Sequence, residues 1–170
     1  MQNHAQTFAV DVHPGELHFN SAHFITFDSS CENLHGHNFH VRIQAHGDNN
    51  DDAFVIDFVQ LNRLAAEVCL SLHDKILLPG TSTEVTIEEG DGQIEVASYD
   101  KRFSLPAVNC LILPVANTTA EMLAWHIMES LLPKLEASSA LTHVETLEVA
   151  VEEADNQWGI CRRRIKSGRV

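Results

Sequence analysis

Hydrophobic and polar positions change rhythm several times along the chain, and each rhythm predicts a different element. In LHFNSAHFITF (residues 17–27) Leu17, Phe19, Ser21, His23, Ile25 and Phe27 share one face of an extended segment. That face is mostly apolar, with His23 set among its hydrophobic neighbours. Ala22 and Phe24 make the opposite face partly apolar, so both sides of this strand are expected to be covered. A loop, DSSCEN, leads to HNFHVRIQAHG, where Phe39, Val41 and Ile43 alternate with His40, Arg42 and Gln44. This is the pattern of a half-buried strand, and the polar GDNNDD ends it. AFVIDFVQLNRLAAEVCLSLHD starts extended and then takes a helical period. Asp57 can cap that helix, Leu61, Leu64, Ala65, Val68 and Leu72 form its stripe, and Cys69 falls beside them as a core thiol.

Further on, EVTIEEGDGQIEVASYD is two alternating runs around a Gly-Asp-Gly turn, a hairpin signal. CLILPV reads as a short apolar strand. NTTAEMLAWHIMESLLPKL predicts a second helix with Asn117 or Thr118 as cap and Glu121 in its first turn. LTHVETLEVAVEEADNQWGICRRRI is a closing hairpin broken at ADNQWG. The order predicts an α+β domain spanning residues 1–170: a four-stranded antiparallel sheet, two helices on one face, and a hairpin inserted at about 80–110.

Composition narrows the function. A chain of 170 residues with 44% hydrophobic and 21% charged residues is that of an ordinary globular protein. Its net charge of −13 argues against nucleic-acid binding, which needs clustered Lys and Arg. The basic run CRRRIKSGRV is a short solvated tail on an acidic body. No apolar run approaches the roughly 18 residues of a membrane span, and the first residues carry no secretory pattern. Cys31, Cys69, Cys110 and Cys161 form no CxxC pair and are expected as free thiols, with the cytoplasm as the default compartment.

The candidate chemistry lies in CENLHGHNFH (31–40). His35 and His37 are two apart, so on a strand both imidazoles point to one side. Gly36 between them lets the backbone lie close to a ligand. If the two strands pair, His23 is the natural third ligand, and three imidazoles with an open fourth position make a catalytic zinc site. Cys31 is either a fourth ligand that closes the shell or a free nucleophile or base beside it.

FNSAHF, CENLHGHNFHV, FVIDFVQL, TTAEMLA and VEEADNQWG occur in the order that resembles the 6-pyruvoyltetrahydropterin and 6-carboxytetrahydropterin synthase family, over about residues 17–160. The resemblance implies the tunnelling fold, a homo-hexamer of two stacked trimers, a pterin substrate, and zinc held by His23, His35 and His37. It implies Cys31 as general base and Glu153 as the anchor of the pterin ring, with Thr118, Thr119 and Glu121 near that ring. The family usually carries Asp-His after the first helix; here His73-Asp74 has the reverse order. Glu32, three residues before HGH, matches the glutamate of related pterin aldolases. The CxxxHGH spacing resembles the carboxy-forming members, which gives zinc-dependent conversion of 7,8-dihydroneopterin triphosphate to 6-carboxytetrahydropterin as the leading expectation. The alternatives are 6-pyruvoyltetrahydropterin formation, cleavage to 6-hydroxymethyl-dihydropterin through Glu32, and a non-catalytic zinc or pterin scaffold.

Overall fold

The computed structural model describes residues 7–165 apart from 14 and 16, so the final residues of the basic tail, 166–170, lie outside it. The elements in chain order are β1 (Phe8–Val12), β2 (His18–His23), β3 (Thr26–Phe27), β4 (Ser30–Cys31), β5 (His35–Gly47), α1 (Phe58–Leu72) and β6 (Lys75–Pro79). They continue with β7 (Thr86–Gly90), β8 (Gln93–Ser98), β9 (Lys101–Pro106), β10 (Cys110–Leu113), α2 (Ala120–Ala137), β11 (Val144–Ala154) and β12 (Gln157–Arg164).

The long strand β5 is the spine. Its first half pairs with β2, its second half with β1, and β11 runs along its other edge. The main sheet is ordered β10-β6-β2-β5-β11-β12, with β1 added beside β5. It has seven strands and is mixed, because β6 and β10 run parallel to their neighbours. This corrects the four-stranded antiparallel expectation. Parallel neighbours need crossover connections; α1 supplies one and the segment β7–β9 the other. β6 was illegible by alternation because both its faces are covered. Leu77 packs with the helices, whereas Ile76 and Leu78 pack into a second apolar cluster under β7–β9.

The predicted hairpin forms between β7 and β8, and β9 extends it into a three-stranded antiparallel meander. Both helices pack with the apolar face of the main sheet in one core that includes Phe19, Phe39, Val41, Leu123 and Val149. Asp57 caps α1, accepting from the Val59 and Gln60 amides at 2.8 and 3.4 Å, a contribution of about 1 kcal/mol. The predicted stripe Leu61, Leu64, Ala65, Val68 and Leu72 is buried, and so is Cys69. The cap of α2 is Thr119, not Asn117 or Thr118, because those two are tied to the preceding loop. The Asn117 Nδ2 donates to the Thr26 carbonyl at 2.7 Å, and the Thr118 hydroxyl donates to that of Phe24 at 2.6 Å.

Gly159 brings β12 hard against the first turn of α2: a Cβ there would collide with the backbone of Ala120 and Glu121. On the other face of the sheet, the start of the basic tail is held rather than free. Arg162 donates twice to the buried carboxylate of Glu148, and Arg42 approaches the same carboxylate while lying over the Trp158 ring. No helix among the described residues is long and apolar enough to cross a membrane.

Candidate metal centre

Antiparallel pairing of β2 with β5 sets His23 directly opposite His35. His37, two residues further along β5, returns to the same face. The three rings lie 4.7, 4.9 and 5.2 Å apart between centroids. A fourth donor comes from β11, where Leu147, Val149, Val151 and Glu153 follow one another on the core face. The register with β12 shifts between Glu152 and Ala154, so a bulge falls at Glu153 and aims its carboxylate at the histidines. Glu153 Oε1 is 3.1 Å from His23 Nε2 and 3.6 Å from His37 Nε2. One donor atom from each of the four residues lies within 4.8 Å of all the others. Bonds of 2.0–2.1 Å around a tetrahedral ion separate adjacent donors by about 3.3 Å, so the cluster is near ligating geometry.

The hydrogen bonds around the rings test the fit. His23 Nδ1–H donates to the Thr118 carbonyl and His35 Nδ1–H to that of Asn33, both at 2.8 Å. Each bond turns the ring's Nε2 lone pair toward the cluster, the arrangement that orients imidazole ligands. His23 Nε2 is buried and unsatisfied, with an oxygen of Glu153 3.1 Å away. Two acceptors 3.1 Å apart need a proton or a metal cation between them. A hydrogen bond from His23 also holds the Glu153 carboxyl below its usual range, against the opposing effect of burial. Burial, then the neighbouring His23 and His35, push His37 down, so it offers a neutral lone pair at neutral pH. Three imidazoles and one carboxylate are a donor set that suits zinc. The residues present fit a divalent metal.

Of the two adjacent candidate bases, Glu32 approaches this cluster, whereas Cys31 is buried in a separate apolar cluster. The Glu32 carboxylate is 4.0 Å from His35 Nε2 and is about one-third exposed. Cys31 is 4% exposed and packs with Phe24, Leu78, Val96 and Leu105 in the cluster beneath the meander. Burial pushes its thiol up, an effect that Ser98 and Lys101 only partly offset. Backbone pairing of Cys31 with Thr26 in the short β3–β4 ladder fixes this division.

His73 and Asp74 sit at the end of α1, outside the four-residue cluster. His73 Nδ1 accepts from the Asn20 amide at 3.3 Å and its Nε2 is 3.6 Å from Asp74. Asp74 lines a cleft of about 510 Å³ that also includes Asn20, Gly36, His37 and Lys75. A Cβ at Gly36 would make only ordinary contacts, so the fold itself does not require glycine there; its absence keeps the cleft floor clear. Thr118 is fully buried with its hydroxyl already donated, Thr119 caps α2, and Glu121 is exposed in the helix's first turn.

Sequence reasoning missed two contributions. Glu153, expected only at the pterin ring, also joins the histidines, and the signal for this was present: an acid continuing the apolar face Leu147, Val149, Val151. The Thr118 and Asn33 carbonyls that orient the rings left no signal, since any residue supplies a carbonyl.

Comparison with known proteins identifies the family. Residues 15–164 match the family model described as 6-pyruvoyl tetrahydropterin synthase. A Methanocaldococcus jannaschii protein bearing the provisional name 6-carboxy-5,6,7,8-tetrahydropterin synthase is 30% identical over 154 residues, 90% of this chain and 93% of that one. The 6-pyruvoyl tetrahydropterin synthase of Plasmodium falciparum superposes with a TM-score of 0.90 at 29% identity, covering 95% of this chain and all of that one. The Plasmodium vivax enzyme, solved with a catalytic glutamate replaced by alanine, gives 0.89 at 29% identity over the same shares. The chain belongs to the 6-pyruvoyl tetrahydropterin synthase family.

Proposed function

We propose that this protein is a zinc-dependent enzyme that cleaves the side chain of 7,8-dihydroneopterin triphosphate, releasing 6-hydroxymethyl-dihydropterin, with Glu32 as the base. The observation that carries this reading is the position of the Glu32 carboxylate, 4.0 Å from His35 Nε2, while the neighbouring thiol is buried elsewhere. His23, His35 and His37 would hold the metal, whose chemistry is to acidify a bound hydroxyl and polarise a carbonyl. Glu32 removes the proton from the 2′-hydroxyl. The C1′–C2′ bond breaks, C2′ leaves as the aldehyde carbon of glycolaldehyde triphosphate, and the electron pair passes into the ring imine. The same carboxyl then returns the proton to C1′, so no oxidant or reductant is consumed. A carboxylate is suited to both transfers when it sits within reach of each. The catalytic glutamate of the Plasmodium vivax enzyme supports the assignment.

A second reading has its own support. The archaeal relatives carry the name 6-carboxy-5,6,7,8-tetrahydropterin synthase, and the CxxxHGH spacing is retained here. In that reading Cys31 moves the protons, after turning out of its apolar pocket. Mass-spectrometric identification of the products from dihydroneopterin triphosphate and zinc decides between them. Glycolaldehyde triphosphate with 6-hydroxymethyl-dihydropterin is the expected pair; 6-carboxytetrahydropterin would transfer the role to Cys31, and no turnover would leave a binding scaffold.

Glu153 is assigned to the pterin ring, where a carboxylate accepts from the ring's amino group and adjacent N–H. Its place beside the metal ligands suits a residue that changes partner when substrate enters. Glu153→Gln is expected to weaken pterin binding by about 2 kcal/mol, the order of a lost charged hydrogen bond, with zinc content unchanged in a parallel metal analysis. Loss of zinc in this variant would make Glu153 a permanent fourth ligand instead. For assembly we propose the homo-hexamer: β10 and β12 end the main sheet as edge strands, a geometry that invites pairing with another copy. The four unpaired cysteines suit a reducing compartment such as the cytoplasm.

A further inference from the structure

The meander β7–β9 touches the metal-site loop at several points. Cys31 and Leu34 insert their side chains into the apolar cluster that the meander covers. Lys101, the first residue of β9, donates from Nζ to the Asn33 side-chain oxygen at 2.9 Å. Asn33 is also the residue whose carbonyl accepts from His35 Nδ1 at 2.8 Å. A continuous path therefore runs from the lysine, through Asn33, to a metal-ligating ring.

The turn that presents Lys101 is braced. The buried Ser98 hydroxyl donates to the Glu84 carbonyl at 2.8 Å, and Tyr99 Oη donates to the Glu84 carboxylate at 2.6 Å. Arg102 donates to the Tyr99 carbonyl at 3.0 Å. Tyr99 itself adopts φ of 51°, a left-handed conformation that costs an ordinary side chain on the order of 1 kcal/mol or more and persists only where surroundings enforce it. In the turn between β3 and β4, Asp28 and Ser29 also have positive φ, 48° and 58°.

We infer that the meander is a clamp on the metal-site loop and that Lys101 is a positioning residue, fixing Asn33 so that its carbonyl holds His35 in the Nδ1–H tautomer. This inference rests on the metal-site reading above. The Lys101–Asn33 bond is solvent-exposed, so it adds little to global stability. Its effect is on one ring. Partners that orient a ligating histidine commonly account for 10–100-fold in metal affinity; Lys101 acts one residue further out, which places the expected loss near the lower end.

The test compares wild type, Lys101→Met and Lys101→Arg. Zinc affinity is read by competition with a chromogenic chelator, and the His35 tautomer by ¹⁵N NMR of the metal-free protein. Lys101→Met should weaken zinc binding about tenfold and shift His35 from the Nδ1–H form toward a tautomer mixture. Lys101→Arg, which keeps a donor, should restore both readouts. Asn33→Ala removes the lysine's acceptor but leaves the backbone carbonyl; it should match Lys101→Met, and the double variant should be no worse than either alone. That cycle also covers a failure of one variant to fold. Unchanged zinc affinity and tautomer in Lys101→Met, or additive losses in the double variant, would overturn the clamp. His35→Ala separates the two levels: if it keeps zinc, the metal site itself is wrong, whereas if it loses zinc while Lys101→Met does not, only the clamp falls.

Discussion

Replacing His37 with alanine is expected to empty the metal site while leaving the fold intact. His37 suits this test better than His23 because its side chain is 26% exposed at the end of the sheet, whereas His23 is fully buried. Removing His23 would also leave the Thr118 carbonyl without its donor and open a hole beside Phe39, so loss of metal and loss of packing would be confounded. Wild type should hold about one zinc per chain through dialysis, and His37→Ala should hold almost none. A thermal readout gives the same answer independently. Zinc at a hundred times its dissociation constant stabilises the folded form that binds it by about 2.7 kcal/mol; the variant should gain nothing from the same addition. His40→Ala is the control, since His40 lies on the opposite face of β5, 3.2 Å from Glu152. Stoichiometric zinc in His37→Ala would show that His23, His35 and Glu153 suffice, and the three-histidine assignment would fail.

What was legible beforehand follows from how each residue signals its environment. Alternation exposed β2, β5, β11 and β12 because each has one apolar face, and the 3.6 period exposed α1 because its stripe faces the sheet while Asp57 marks its start. The same reasoning hid β6, whose run KILLP lacks a polar face, and with it the parallel pairing of β6 with β10, although CLIL itself was legible as a short apolar strand. The site divided in the same way. His23 declared itself as a histidine among apolar neighbours, and HGH as two imidazoles on one side of a strand. The separation of Cys31 from Glu32 was only half legible. Adjacent residues in an extended loop point apart, but which of them faces the metal depends on the apolar cluster under the meander. Much of that cluster comes from residues far downstream in the chain, Leu78 to Leu105.

That separation carries the largest expected rate effect. Glu32→Gln keeps the shape of the side chain and removes its basicity. A positioned general base contributes about 10²–10⁴ in rate, equivalent to about 3–5.5 kcal/mol at 1.36 kcal/mol per tenfold. Turnover of dihydroneopterin triphosphate by Glu32→Gln should fall by that factor. Zinc content should stay at the wild-type level, because Glu32 lies 4.0 Å from His35 Nε2 and outside the ligand cluster. Cys31→Ala should behave differently. Its Sγ fills space beside Phe24 and Leu78, so its loss should lower stability by about 1 kcal/mol, as for other small core deletions. Its effect on turnover should be far smaller, because burial keeps the thiol protonated and the side chain packs in the apolar cluster under the meander. Both variants are to be assayed for 6-hydroxymethyl-dihydropterin, 6-carboxytetrahydropterin and 6-pyruvoyltetrahydropterin, with zinc measured in each. A dead Cys31→Ala beside an active Glu32→Gln would reverse the assignment. It would mean that substrate binding draws Cys31 out of its pocket, and that the carboxy-forming reaction of the archaeal relatives' name is the one performed here.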